Sequence, residues 1–153
     1  YYTFTSEDDF KNKVSNDFFL EHALVHGNFY GTSKDFVETK IAEGINIILE
    51  IDVQGVQQIK STNFPHESIF LLPPSIESLT ERLNERGTNS KESIELRLSN
   101  AMKEIPSCKD YDHILVNDVF EDCCNDLARI ITGEDSFPMN SKKELFLTKL
   151  LNS

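Results

Sequence analysis

The chain has 153 residues, 39% of them hydrophobic, enough for one core, and no apolar run approaches the length of a membrane span. Its 26 acidic residues against 15 basic ones leave a formal net charge of −11, which disfavours nonspecific binding to nucleic acid or to an anionic membrane. Three cysteines, Cys108, Cys123 and Cys124, are an odd number with two adjacent, which points to a reducing, cytoplasmic setting rather than a disulfide framework. His113 near them lacks the paired C-x-x-C spacing that a zinc site would need.

Taken in chain order, Ser6 followed by acids predicts a helix through Phe10 and Val14 to about Asn16. Phe18 to His26 reads as a strand, Gly27-Asn28 as a tight turn and Phe29 to Gly31 as the returning strand. Ser33 caps a helix that ends at Gly44, and a strand buried on both faces is expected over 45 to 51. A short helix over 54 to 61 and an apolar strand over 68 to 72 follow, the strand stopped by Pro73-Pro74. Ser75 caps a helix to about Glu85, and Ser90 caps another to about Ile105. His113 to Val116 is a third apolar strand, and Val119 to Ile131 an amphipathic helix. Strands alternating with helices argue for an α/β fold with a mostly parallel sheet, the early hairpin standing apart as a small β region. Beyond Gly133, Ser141 to Glu144 forms a capping-box pattern before a terminal helix, docked on its own domain or on a second copy as a homodimer.

Three places carry chemistry. Glu50 and Asp52 close the apolar run Ile47 to Ile51, and the C-terminal ends of strands in open α/β sheets are where ligands bind. These two acids could meet a hydrated Mg²⁺ and a polar ligand, or simply end a strand in a charged turn. Three of the four arginines, Arg82, Arg86 and Arg97, crowd between positions 82 and 97 of an otherwise acidic chain, a pattern suited to an anion. Arg82 and Arg86 share a helix face, where Glu81 and Glu85 could equally be their partners. Glu21 sits among Phe18-Phe19-Leu20 and Ala23-Leu24-Val25, where an unpaired carboxylate is costly. A ligand offering hydrogen-bond donors would satisfy it; the alternative is a glutamate on the wet face of a hairpin.

The segments Phe18-Phe19-Leu20-Glu21, Tyr30-Gly31-Thr32, Asp52-Val53-Gln54-Gly55, Pro73-Pro74-Ser75, Arg86-Gly87-Thr88 and Val116-Asn117-Asp118, in this order, resemble the guanylate kinase family from Tyr2 to about Ile131. The resemblance implies a P-loop-kinase-like α/β fold with a small mixed β region for GMP and a helical lid, and ATP-dependent phosphorylation of GMP to GDP with Mg²⁺. It implies that Glu21 and Thr32 read guanine, that Tyr2 and Tyr30 hold the GMP phosphate, and that Glu50 and Asp52 organise the Mg²⁺ and acceptor side. Gly55 would allow close backbone approach, Arg82, Arg86 and Arg97 would clamp the phosphates, and Asn117 would lie near the adenine of ATP.

On the same basis residues 1–34 form the GMP-binding region, 35–72 and 106–133 parts of the core, 73–105 the lid with its flanking helices, and 134–153 a helical extension. The family also carries a strand, a G-x-x-x-x-G-K-[ST] phosphate loop and an arginine-bearing segment ahead of these motifs. The expectation is therefore that this sequence is an excerpt of a longer protein and is inactive alone. Two alternatives stand beside the kinase: a guanylate-kinase-like protein-interaction module without chemistry, and a kinase for another nucleoside monophosphate.

Overall fold

Residues 3–25, 27–85 and 91–152 are described by the structure, a computed structural model. Contacts divide the chain into two units, Tyr1–His66 and Glu67–Ser153.

In the first unit, α1 (Glu7–Ser15) begins where Ser6 Oγ accepts the Asp9 N–H, and the acids Glu7, Asp8 and Asp9 occupy the first turn, where the helix dipole favours them. It buries Phe10, which stacks on Phe19 at 4.6 Å and on Phe29 at 5.2 Å between ring centroids. β1 (Phe19–Val25) and β2 (Asn28–Ser33) pair antiparallel as expected, with Gly27 at φ +83° providing the left-handed turn. Ser33 Oγ accepts the Phe36 N–H to start α2 (Lys34–Ala42), and Gly44 at φ +78° lies just past its end. α3 (Val53–Lys60) follows, and Leu20, Val37 and Ile59 form the buried cluster of this unit, with Leu49, Ile51 and Phe64 packed against it.

The strand expected over 45 to 51 is not formed. Among the described residues no amide of 46–51 donates to a backbone carbonyl, and a strand exists only through such pairing. Nor is the segment buried on both faces: Ile47, Leu49 and Ile51 are half-buried, while Ile45, Ile48 and Glu50 are exposed.

The second unit is built on β3 (Ile69–Leu72) and β4 (His113–Val116), which pair in parallel with Ile69 opposite His113 and Leu72 opposite Val116. Between them lie α4 (Ile76–Glu85), opened by Ser75 Oγ accepting the Ser78 N–H, and α5 (Lys91–Glu104). A 3₁₀ turn, Ile105–Asp110, follows α5 and was not expected. Pro106 explains it, because the pyrrolidine ring lacks an N–H and clashes with the preceding turn of an α-helix. α6 (Phe120–Ile131) and α7 (Ser141–Leu151) complete the unit. The cap of α7 is Asn140, whose Oδ1 accepts the Lys143 N–H, and not Ser141; Ser141 is already helical, and the amide side chain one position earlier reaches the exposed donor. Leu147 and Leu150 of α7 enter the core with Leu72, Ile105, Cys108 and Ile114, so this helix docks on its own unit.

Among the described residues the hairpin forms a sheet of its own, as expected, and the parallel sheet consists of β3 and β4 without a third strand from 45 to 51. No helix among these residues is long and apolar enough to cross a membrane.

Candidate active site

Within the first unit the pairing register places Glu21 opposite Thr32, and the Thr32 hydroxyl donates to Glu21 Oε1 at 2.5 Å. The register also shifts between Phe19 and Glu21, where two steps along β1 match one step along β2. A bulge of this kind breaks strict alternation, and its effect is visible in burial: the neighbours Leu20 and Glu21 are both buried, at 6% and 4% exposure. Leu20 joins the apolar cluster, and the carboxylate is held inside the hairpin region instead of on its wet face. Tyr30 stands two residues before Thr32, on the same face of β2, and remains 43% exposed.

Asp52 is the N-cap of α3: Oδ1 accepts the Gly55 N–H at 2.9 Å and Oδ2 accepts Gln54 Nε2 at 3.1 Å. This gives the second acid of the apolar run a helix-starting role that the sequence pattern alone did not disclose. Glu50 is exposed. Gly55 is buried in the first turn of α3, and a Cβ built there would lie 2.9 Å from Glu21 Oε2 and 3.2 Å from Ile51 Cδ1. The close approach at Gly55 is therefore to the Glu21 carboxylate. Glu21, Thr32 and Gly55 come together, and Asp52 is linked to them through the Gly55 amide.

In the second unit, Arg82 of α4 donates from Nη2 to the Asn117 carbonyl at 2.9 Å. Asn117 follows β4, and its N–H donates to the Leu72 carbonyl at 2.8 Å, so these two predicted residues meet at the C-terminal end of the parallel pair. Arg97 projects from α5 with its Nε buried and without a hydrogen-bond partner among the described residues. An unpaired buried guanidinium donor is costly unless something else accepts from it. Tyr2 and Arg86 lie outside the described residues.

Two polar arrangements escaped sequence reasoning. Gln58 of α3 grips the His22 peptide: its Oε1 accepts the His22 N–H at 3.0 Å and its Nε2 donates to the His22 carbonyl at 2.6 Å. At the opposite end of the parallel pair, Asp112 Oδ2 accepts from both Ser68 N–H and Ser68 Oγ, and buried His113 spans Glu67 and the Phe137 amide. The Phe137 N–H donates to Nδ1, which leaves Nε2 to donate to Glu67, a tautomer assigned by its neighbours. No short spacing signals either arrangement, since the partners are 24 to 46 residues apart.

The model of the guanylate kinase family matches residues 1–134. The chain belongs to the guanylate kinase family. It is 45% identical over 135 residues to guanylate kinase of Escherichia coli K12, an alignment covering 88% of this chain and 65% of that protein. Guanylate kinase of Buchnera aphidicola is 40% identical over 153 residues, covering 99% of this chain and 74% of the relative. The crystal structure of guanylate kinase from Anaplasma phagocytophilum superposes with a TM-score of 0.71 at 30% identity, over 98% of this chain and 74% of that one. The chain thus spans about two thirds to three quarters of the length of these guanylate kinases. Its α/β architecture is that of the guanylate kinase fold.

Proposed function

We propose that the protein transfers the γ-phosphoryl group of ATP to the phosphate of GMP, releasing GDP and ADP. The observation that carries this reading is the buried Glu21 carboxylate with the Thr32 hydroxyl bound to it. Desolvating a carboxylate is costly, and donors that reach it on binding recover that energy. Guanine brings N1–H and N2–H₂ to Glu21, while the Thr32 hydroxyl can turn towards O6; adenine offers an acceptor where Glu21 also accepts. Tyr2 and Tyr30 hold the acceptor phosphate by their hydroxyls.

Phosphoryl transfer needs alignment and charge neutralisation more than a covalent intermediate. Arg97, with its buried Nε unpaired, fits a group that donates to phosphate-bearing ligands, and residues 73–105, including Arg82 and Arg86, form the lid around them. Asn117 lies at the adenine of ATP. Glu50 and Asp52 fit a hydrated Mg²⁺ reached through water: Glu50 is exposed, and each Asp52 oxygen keeps a lone pair beyond the hydrogen bond it accepts. Among the described residues no cluster of three or more His, Cys, Asp or Glu side chains stands ready to ligate a metal directly. Bound with ATP, the ion would offset negative charge on the phosphates.

The test is turnover by the full-length protein with GMP and with AMP, together with GMP calorimetry on Glu21→Gln. GDP formation, strong preference for GMP, and a loss of roughly 2 kcal/mol or more of GMP affinity in the variant are expected. Unchanged affinity in Glu21→Gln would remove this residue from the site, and absence of GDP formation in a folded protein would leave an interaction module as the better reading.

A further inference from the structure

The face that α3 turns towards β1 consists of Gly55, Gln58 and Ile59, spaced i, i+3 and i+4. Three successive residues of β1 answer to it. Ile59 shares a buried cluster with Leu20, Gly55 leaves room for the Glu21 carboxylate, and Gln58 binds the His22 peptide at both its N–H and its carbonyl. We propose that Gln58 is a positioning residue for base selection, fixing the backbone beside Glu21 so that its carboxylate stays registered against Thr32 and the incoming guanine. This rests on the GMP reading of Glu21 given above.

The physical case lies in what the amide replaces. The His22 N–H and C=O are used by Gln58 as a neighbouring strand would use them, so one side chain closes part of the β1 edge. The closure falls immediately after the bulge that turns Glu21 inwards, where an irregular strand has the least ladder to hold it. A displaced His22 peptide would carry the Glu21 Cα with it. Discrimination between donors and an acceptor on a base edge depends on hydrogen-bond distances of a few tenths of an ångström.

The experiment compares the full-length wild type with Gln58→Leu, which removes both bonds, and Gln58→Glu, which keeps an acceptor for the His22 N–H but loses the donor to its carbonyl. Gln58→Leu should raise the Michaelis constant for GMP about tenfold, leave kcat within about twofold, and reduce the preference for GMP over AMP. Gln58→Glu should fall between it and the wild type, and it remains informative where the leucine variant fails to fold. Calorimetry with GMP should show the same order of affinities. A purely structural role would lower the melting temperature of both variants and leave GMP affinity and base preference at wild-type values, and that result overturns the proposal. A wild type that neither binds nor converts GMP overturns the functional reading and this proposal together, whereas an active wild type with unaltered variants overturns the proposal alone.

Discussion

At the scale of single residues, Gly55 shows how a small side chain can serve a charged one at a distance in sequence. It is not among the described glycines with positive φ, so the backbone does not demand glycine there; the space does. An added methyl would meet Glu21 Oε2 at 2.9 Å and Ile51 at 3.2 to 3.3 Å, and the carboxylate, at the end of a flexible chain, is the group that yields. Gly55→Ala also gains helix propensity of about 0.5 to 1 kcal/mol, which offsets part of the crowding. The expected outcome is a protein that stays folded with a nearly unchanged melting temperature and a GMP affinity lowered about tenfold, some 1.4 kcal/mol. Calorimetry and a thermal melt on the same sample check this, and unaltered GMP binding would show that Glu21 has room to spare. That Glu21 would be buried was legible from its apolar neighbours. Its contact with Gly55 was not, because a gap left by a missing Cβ has no signature in a single sequence.

At the scale of elements, α6 sorts two adjacent cysteines by helix geometry alone. Successive residues are 100° apart on a helix, and here Cys123 turns into the core with Leu115 and Ile130 while Cys124 is exposed. Burial raises the thiol of Cys123, reinforced by Cys124 and Asp126 and opposed by Arg82; burial likewise raises that of Cys108. A raised thiol holds less thiolate at neutral pH, and the thiolate is the nucleophile. Iodoacetamide at neutral pH should therefore modify Cys124 first, with Cys108 and Cys123 reacting only in denaturant, as peptide mass spectrometry would show. Early labelling of Cys123 in the native protein would contradict its placement. Most of the helices and the hairpin were legible because their signals are local: Ser6, Ser33 and Ser75 each accept a capping N–H, and Gly44 ends α2. The failures have local causes as well. Asn140 competes with Ser141 for one cap, and Pro106 converts the end of α5 into a 3₁₀ turn.

At the scale of the whole molecule, what could not be read locally was which strands find partners. The segments 69 to 72 and 113 to 116 share a ladder, although facing residues such as Ile69 and His113 are 44 positions apart; the apolar segment 45 to 51 pairs with nothing described. Composition marks all three alike, since hydrophobicity says that a segment will be buried and not which backbone will lie beside it. The consequence for 45 to 51 is measurable. Its amides from 46 to 51 make no backbone hydrogen bond among the described residues, and Ile48 is 67% exposed. Exchange protection follows backbone hydrogen bonding and burial, and unpaired amides open at almost no free-energy cost. In the 153-residue chain, hydrogen exchange followed by mass spectrometry should therefore show peptides over 46 to 51 exchanging near the unprotected rate. Peptides from the β1–β2 hairpin and from β4 should exchange more slowly. The inward side of the segment, Leu49 and Ile51, touches the Leu20–Val37–Ile59 cluster, but side-chain packing alone does not close the amides against water. Protection over 46 to 51 equal to that of the hairpin would mean that these amides are paired after all, and that the apolar run from Ile47 to Ile51 is a true strand in this chain.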